Sequence, residues 1–157
     1  LWSGDLKIHT VHVQDVCRAL WFLCEKGTKG EIYNLSDKND TDQNKINEYL
    51  EAIFNIKTGF FGTAISHMAK LNLKNITEEV NDKHLKPWSD LCKRHNITNT
   101  PLTPYLDQEL LYNNHLSVDG TKIEAAGFKY EYPEVKEEYL RESLNYFLEQ
   151  QLFPPIV

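Results

Sequence analysis

Tyr132 and Lys136 have the spacing of an activated tyrosine, in which a lysine one helical turn further along lowers the pKa of the phenol. A tyrosine prepared in this way can act as a general acid or base. The chemistry requires both side chains on one preformed helix. Pro133 directly follows Tyr132 and places it at or before the start of a helix. We therefore do not expect this pair to be catalytic, and we predict no catalytic residue in the chain.

The six histidines are candidate metal ligands by residue type. His9 and His12 fall in a predicted strand, where residues three apart point to opposite faces and do not converge on one ion. The other four show no spacing typical of ligands: His67, His84, His95 and His115. The sequence therefore predicts no metal site.

The segment that would position such side chains is predicted to be strand, helix and strand. Ile8–Val13 is a short run rich in β-branched residues, which predicts a strand, and Glu31–Leu35 is predicted to return as a second strand. Between them, Val16–Cys24 is apolar at nearly every position, which predicts a helix buried on most sides. Asp15 is the expected N-cap of this helix. Two strands joined by a helix through short turns predict a βαβ unit in a parallel sheet.

Three short motifs follow one another along the chain. Their residues are Val11, His12, Val13, Asp15, Val16 and Ala19; then Gly30, Ile32, Tyr33 and Asn34; then Lys122, Gly127 and Phe128. In this order the sequence resembles the second half of the extended short-chain dehydrogenase/reductase family, the group of NAD-dependent epimerases, dehydratases and reductases. The resemblance covers both ends of the chain and is weak at about residues 62–105.

The resemblance implies an α/β fold: the C-terminal part of a Rossmann-like parallel sheet with a mostly helical substrate lobe. Residues 1–157 would be a single domain forming the C-terminal portion of a longer protein, with residues 62–105 as a helical insertion or lobe. The complete protein would use NAD or NADP. The seven glycines here include no Gly-rich phosphate-binding turn, so we predict no cofactor-binding residue in this segment.

The same resemblance suggests which residues contact a small-molecule substrate. His12 falls where the late strand of the family approaches the ligand, and Trp88, Pro104 and Tyr105 fall in the variable segment that forms the substrate lobe. The alternative for His12 is a partly buried structural histidine. For the other three residues the alternative is core packing.

Composition restricts the partners and the compartment. A net charge of -6 argues against a nucleic-acid partner, and no apolar run approaches the length of a membrane helix. Cys17 and Cys24 are too far apart along one helix for a disulfide, which favours free, buried thiols in the cytoplasm. Four Asn-x-Ser/Thr sequons oppose that compartment, at Asn34, Asn39, Asn75 and Asn96.

These observations predict the substrate-binding C-terminal segment of an NAD(P)-dependent epimerase, dehydratase or reductase. Such a segment is not expected to be catalytic by itself. Its partners would be a small-molecule substrate and either an N-terminal Rossmann half or another copy of the chain. The alternative is a non-catalytic protein-interaction module derived from half of such a fold, with an apolar face left open for a partner.

Overall fold

The computed structural model describes residues 2–112 and 114–155, and regular structure in these residues is helical. The helices are α1 (Val13–Lys26), α2 (Gln43–Phe54), α3 (Gly62–Lys70), α4 (Leu73–Arg94), α5 (Thr121–Ala125) and α6 (Glu137–Glu149), with one 3₁₀ helix at Gln108–Leu111. The chain divides into two compact units. Unit 1 contains residues 2–3, 50–112 and 137–155, and unit 2 contains residues 4–49 and 114–136.

The predicted α/β fold with a Rossmann-like parallel sheet is wrong. The β-bridges among the described residues are isolated pairs, and none joins Ile8–Val13 to Glu31–Leu35. The backbone N–H of Ile8 donates to the carbonyl of Thr41, so this segment bonds to a loop rather than to a neighbouring strand. In the second segment the Ile32 side chain is 78% exposed and has no covering layer. A β-branched run forms a strand only where a partner strand and a covering layer are available.

The core of unit 2 lies under one side of α1. Ala19 of α1 and Ile123 of α5 are fully buried, and Phe128 is buried beside them. Gly127 follows Ala126, the C-cap of α5, and has φ at 104°, a conformation that glycine adopts at little cost. Partly buried side chains complete this core: Phe22, Leu23, Tyr33, Leu35 and Tyr130.

Unit 1 is built around the long helix α4, which packs against α3 and the 3₁₀ helix. The sequence predicts a break near residues 72–77 and a new helix at Pro87, but α4 runs continuously through both Thr77 and Pro87. The Asn81 amide fixes the following loop, because it accepts the backbone N–H of Leu106 at 2.7 Å and donates to the carbonyl of the same residue at 2.9 Å. The predicted helical lobe at residues 62–105 contains α3 and most of this framework.

Candidate functional site

Helix α1 is anchored to unit 2 by the buried carboxylate of Asp15. Its two oxygens accept the backbone N–H groups of Glu131 at 3.0 Å and Tyr132 at 2.7 Å, and one of them also accepts from Arg18. Asp15 is fully buried. The prediction that Asp15 caps α1 is therefore wrong, because the ring of His12 accepts the backbone N–H of Gln14 at the N-cap position. Asp15 instead joins α1 to the segment before α6.

The opposite side of α1 carries apolar side chains that face outward. Val13 is 68% exposed, Leu20 is 62% exposed and Trp21 is 71% exposed. Cys17 and Cys24 are exposed and lie in the same stripe, since residues three or four apart share one helix face. We call this set of five residues the α1 face. The expectation that α1 is buried on most sides, with buried thiols, is wrong for this face.

A groove of about 660 Å³ adjoins the α1 face. One wall is formed by Trp21 and Phe22 of α1, and the other by Phe128 and its neighbours in the loop after α5. The Arg18 guanidinium lies 5.4 Å from the centre of the Phe128 ring and bonds to Asp15, so the floor of the groove is held in place. A rigid apolar wall beside protruding apolar side chains is typical of a surface that binds another protein.

A second cleft in unit 2, of about 290 Å³, surrounds the half-buried ring of His9. The ring contacts a carboxylate oxygen of Asp40 at 2.9 Å and the backbone carbonyl of Val118 at 3.2 Å. Hydrogen bonds from Lys7 and His9 hold the pKa of Asp40 below its usual value. Since the Asp40 carboxylate and the His9 ring already bind one another, the contacts of His9 hold together the loops around Asp40 and Val118.

Asp37, in the wall of the same cleft, organises the neighbouring loops. It accepts hydrogen bonds from the backbone N–H and hydroxyl of Thr10 and from the hydroxyl of Thr41. Burial raises the pKa of this carboxyl, but the hydrogen bonds from the two threonines outweigh that effect and hold its pKa below the usual value. Asp37 is therefore ionised at neutral pH and fixes the chain around residues 10 and 41.

The four predicted substrate-contacting residues are divided between the two units. His12 lies in unit 2 and stacks on the Tyr132 ring at 3.9 Å between centroids, whereas the other three lie in unit 1. Trp88 packs against Phe153, with ring centroids 5.7 Å apart, and both side chains are partly buried. Tyr105 is exposed in a polar cleft of about 610 Å³, and neither Trp88 nor Pro104 lines that cleft.

The tyrosine–lysine pair singled out by spacing lies outside a helix. Tyr132 and Lys136 both precede Glu137, where α6 begins. The two side chains are therefore not one helical turn apart on a common helix, as lowering of the tyrosine pKa by lysine would require.

Comparison with known proteins returned no relative: no protein-family model, no curated protein and no solved structure matches this chain. Across residues 2–112 and 114–155, the helices are all too short or too polar to cross a bilayer. The same residues include no group of three or more His, Cys, Asp or Glu side chains that could hold a metal ion.

Proposed function

We propose that this chain is a protein-interaction module that binds its partner through the α1 face, and that it performs no chemistry by itself. The observation that carries the proposal is the outward position of Leu20 and Trp21, 62% and 71% exposed on a helix whose other side carries the buried Asp15 and Ala19. Apolar side chains clustered on one exposed surface mark interaction sites more often than scattered ones do. Tryptophan is also among the residues most often found at the energetic centre of an interface.

The α1 face is preorganised for binding. The inward side of α1 is fixed by Ala19 in the core and by the hydrogen bonds of Asp15 to residues 131 and 132. A surface that is already ordered loses little conformational entropy when a partner binds, so more of the apolar contact energy contributes to affinity. The partner would gain a rigid stripe of Val13, Leu20 and Trp21 with a groove beside it.

A second candidate function places this chain in an NAD(P)-dependent protein. The residues that favour it are the three ordered motifs that resemble the extended short-chain dehydrogenase/reductase family, including His12 and Asp15. In that case the partner at the α1 face would be a cofactor-binding half in the cytoplasm, and His12 would contact a small carbonyl or sugar substrate. The cofactor, NAD or NADP, would bind the partner half.

Calorimetry tests the second candidate. Titrating the chain with NADH and with NADPH should give no binding heat, because this sequence contains no Gly-rich turn that could hold the pyrophosphate. Micromolar binding of either cofactor by this chain would show that it holds a cofactor site of its own and would contradict both candidates as stated.

Substitution on the two sides of α1 tests the interaction module. Leu20→Asp should change the free energy of unfolding by less than about 0.5 kcal/mol, since its side chain already faces water. Ala19→Asp, the matched control one residue away, should destabilise the chain by roughly 2–5 kcal/mol, since it buries a carboxylate in the core of unit 2. Urea unfolding followed by circular dichroism at low protein concentration measures both changes. A loss above about 2 kcal/mol for Leu20→Asp would show that the face is packed inside the folded chain, and the proposal would fail.

A further inference from the structure

We propose that a second copy of this chain covers the α1 face, so that two α1 helices pack against each other about a two-fold axis. This proposal rests on the proposed function and names the partner. It concerns only unit 2, which contains α1, the adjoining groove and the buried Asp15 anchor.

The spacing of the α1 face identifies the occupant as a helix. Val13, Cys17, Leu20 and Cys24 are separated by four, three and four residues. That alternation is the pattern of positions a and d in helices that pack side by side, where each side chain enters a hollow between four residues of the partner. An extended peptide or a loop has no matching periodicity along this stripe. Trp21 borders the stripe and widens it toward the groove.

The occupant can be another copy because the surface is self-complementary. A two-fold contact uses the same patch on both copies, so the patch must contain both protruding side chains and a hollow to receive them. Leu20 protrudes from the stripe, and the groove, which Trp21 and Phe128 line and Leu20 does not, adjoins the stripe at Trp21. Each copy therefore offers one protruding residue and one groove, so a two-fold contact would contain two such pairs.

Local charge also permits two copies to approach here, despite a net charge of -6 for each chain. Helix α1 carries two acidic and two basic side chains: Asp15, Arg18, Glu25 and Lys26. Asp15 is fully buried, whereas Arg18 is 41% exposed and lines the groove together with Glu25, so side chains of both signs balance at the contact surface. The surplus of acidic residues therefore lies elsewhere on the chain, and repulsion between copies at α1 is weak.

The expected strength follows from the length of α1. Its 14 residues span about 21 Å, so a pair of such helices buries an area near the lower limit for specific interfaces, on the order of 1,000 Å². Interfaces of this size are reversible, and we expect a dissociation constant on the order of 1–300 μM. The dimer should thus form and dissociate as the protein is concentrated and diluted.

Sedimentation velocity over a concentration range of about 1–300 μM tests the pairing. The wild-type chain should shift from monomer to dimer across this range. Leu20→Asp should weaken association at least about tenfold, since each contact would then bury an unpaired carboxylate. Tyr146→Asp is the matched control: Tyr146 is equally exposed, at 57%, but lies on α6 in unit 1. This control should associate like the wild-type chain.

The cysteines of α1 report directly on the contact. Oxidised glutathione accepts the two electrons needed to join thiols of two copies, so it should trap the dimer through Cys17 or Cys24, both of which are exposed. Cys17→Ser with Cys24→Ser should abolish trapping, and Leu20→Asp should reduce it at least about tenfold. Peptide mass mapping identifies the bonded residues.

Three results would overturn the proposal. A chain that stays monomeric to 300 μM, on the order of the weakest affinity expected, is not covered by its own copy. A dimer that survives Leu20→Asp unchanged meets at another surface. Disulfides that form without Cys17 and Cys24 would also show that the two copies meet at another surface. In each case the proposed function stands if Leu20→Asp leaves the free energy of unfolding unchanged. If Leu20→Asp destabilises the monomer, both the proposed function and the proposed dimer fail.

Discussion

Removing the Asp15 carboxylate should destabilise unit 2 more than any other single polar substitution on α1. Asp15→Ala leaves the partly buried backbone N–H groups of Glu131 and Tyr132 without their acceptor, whose own side chain is fully buried. It also removes the bond that holds Arg18. The effect should therefore be a loss of the anchor between α1 and residues 131–132.

The magnitude follows from the number of unsatisfied groups. Each buried donor that loses its partner costs about 1–3 kcal/mol. Two such donors give roughly 2–6 kcal/mol for Asp15→Ala. Arg18 adds little, since it is 41% exposed and can be hydrated. Against a total stability of about 5–15 kcal/mol for a domain, this loss is large enough to unfold a substantial fraction of unit 2.

Two measurements check this prediction. Urea unfolding followed by circular dichroism gives the loss of free energy, and hydrogen exchange followed by NMR reports on the amides of Glu131 and Tyr132. Both amides should exchange slowly in the wild-type chain and at least about tenfold faster in Asp15→Ala.

Glu131→Gln is the matched control, because Glu131 is 58% exposed and its carboxylate lies 3.4 Å from Arg18. That change should cost no more than about 1 kcal/mol. The reasoning is refuted if Asp15→Ala costs less than about 1 kcal/mol or leaves both amides protected.

Two further substitutions test the loops of unit 2. Asp37→Asn should flatten the dependence of stability on pH below about 4. The folded-state pKa of Asp37 is lowered, so its carboxylate stabilises the fold at pH values above the pKa of the unfolded chain, and this contribution is lost as the pH falls through the folded-state pKa. Acid titration followed by circular dichroism measures the effect, and equal slopes in the two chains would contradict it. Gly120→Ala should destabilise the chain by about 1–3 kcal/mol, because the new methyl would lie 2.6 Å from the Ser36 hydroxyl and 2.9 Å from its backbone nitrogen. Thermal unfolding measures that loss, and an unchanged midpoint would show that the loop at residue 36 moves freely.

Helices with strong local signals could be predicted from the sequence. The stripe of Ile46, Tyr49, Leu50 and Ile53 predicts an amphipathic helix, and α2 lies there. The prediction that Asp42 caps this helix is confirmed, since its carboxylate accepts the backbone N–H of Lys45 at 3.0 Å. Periodicity and caps are properties of a few neighbouring residues, so they need no knowledge of the rest of the fold.

The sheet could not be predicted in the same way, because a strand depends on residues far away in the sequence. Ile8–Val13 has the composition of a strand, yet α1 begins at Val13 and uses the last residue of that run. Glu31–Leu35 is also predicted as a strand, and Ile32 nevertheless faces water. Local composition identified two segments with β propensity but could not show whether they pair with each other.

The sequence contains a signal for the candidate site, but the prediction that α1 is buried on most sides is wrong. The apolar run of α1 predicts burial on most sides, whereas the structure buries Ala19 and exposes Leu20 and Trp21. The four-three-four spacing of Val13, Cys17, Leu20 and Cys24 was the signal that separates an outward stripe from the inward side. The role of Asp15 gave no such signal, because its partners lie more than 100 residues away.

The anchor and the α1 face depend on each other physically. An isolated helix of 14 residues is only marginally stable in water, so α1 needs contacts from unit 2 to keep its shape. Asp15 and Ala19 provide those contacts on one side only, which leaves the other side ordered but uncovered. A substitution at Asp15 should therefore weaken binding at the α1 face indirectly, through loss of order in α1, whereas Leu20→Asp should weaken it directly and leave the helix intact. Far-ultraviolet circular dichroism of the two variants distinguishes these routes, since only the Asp15 variant should lose helical signal as binding is lost.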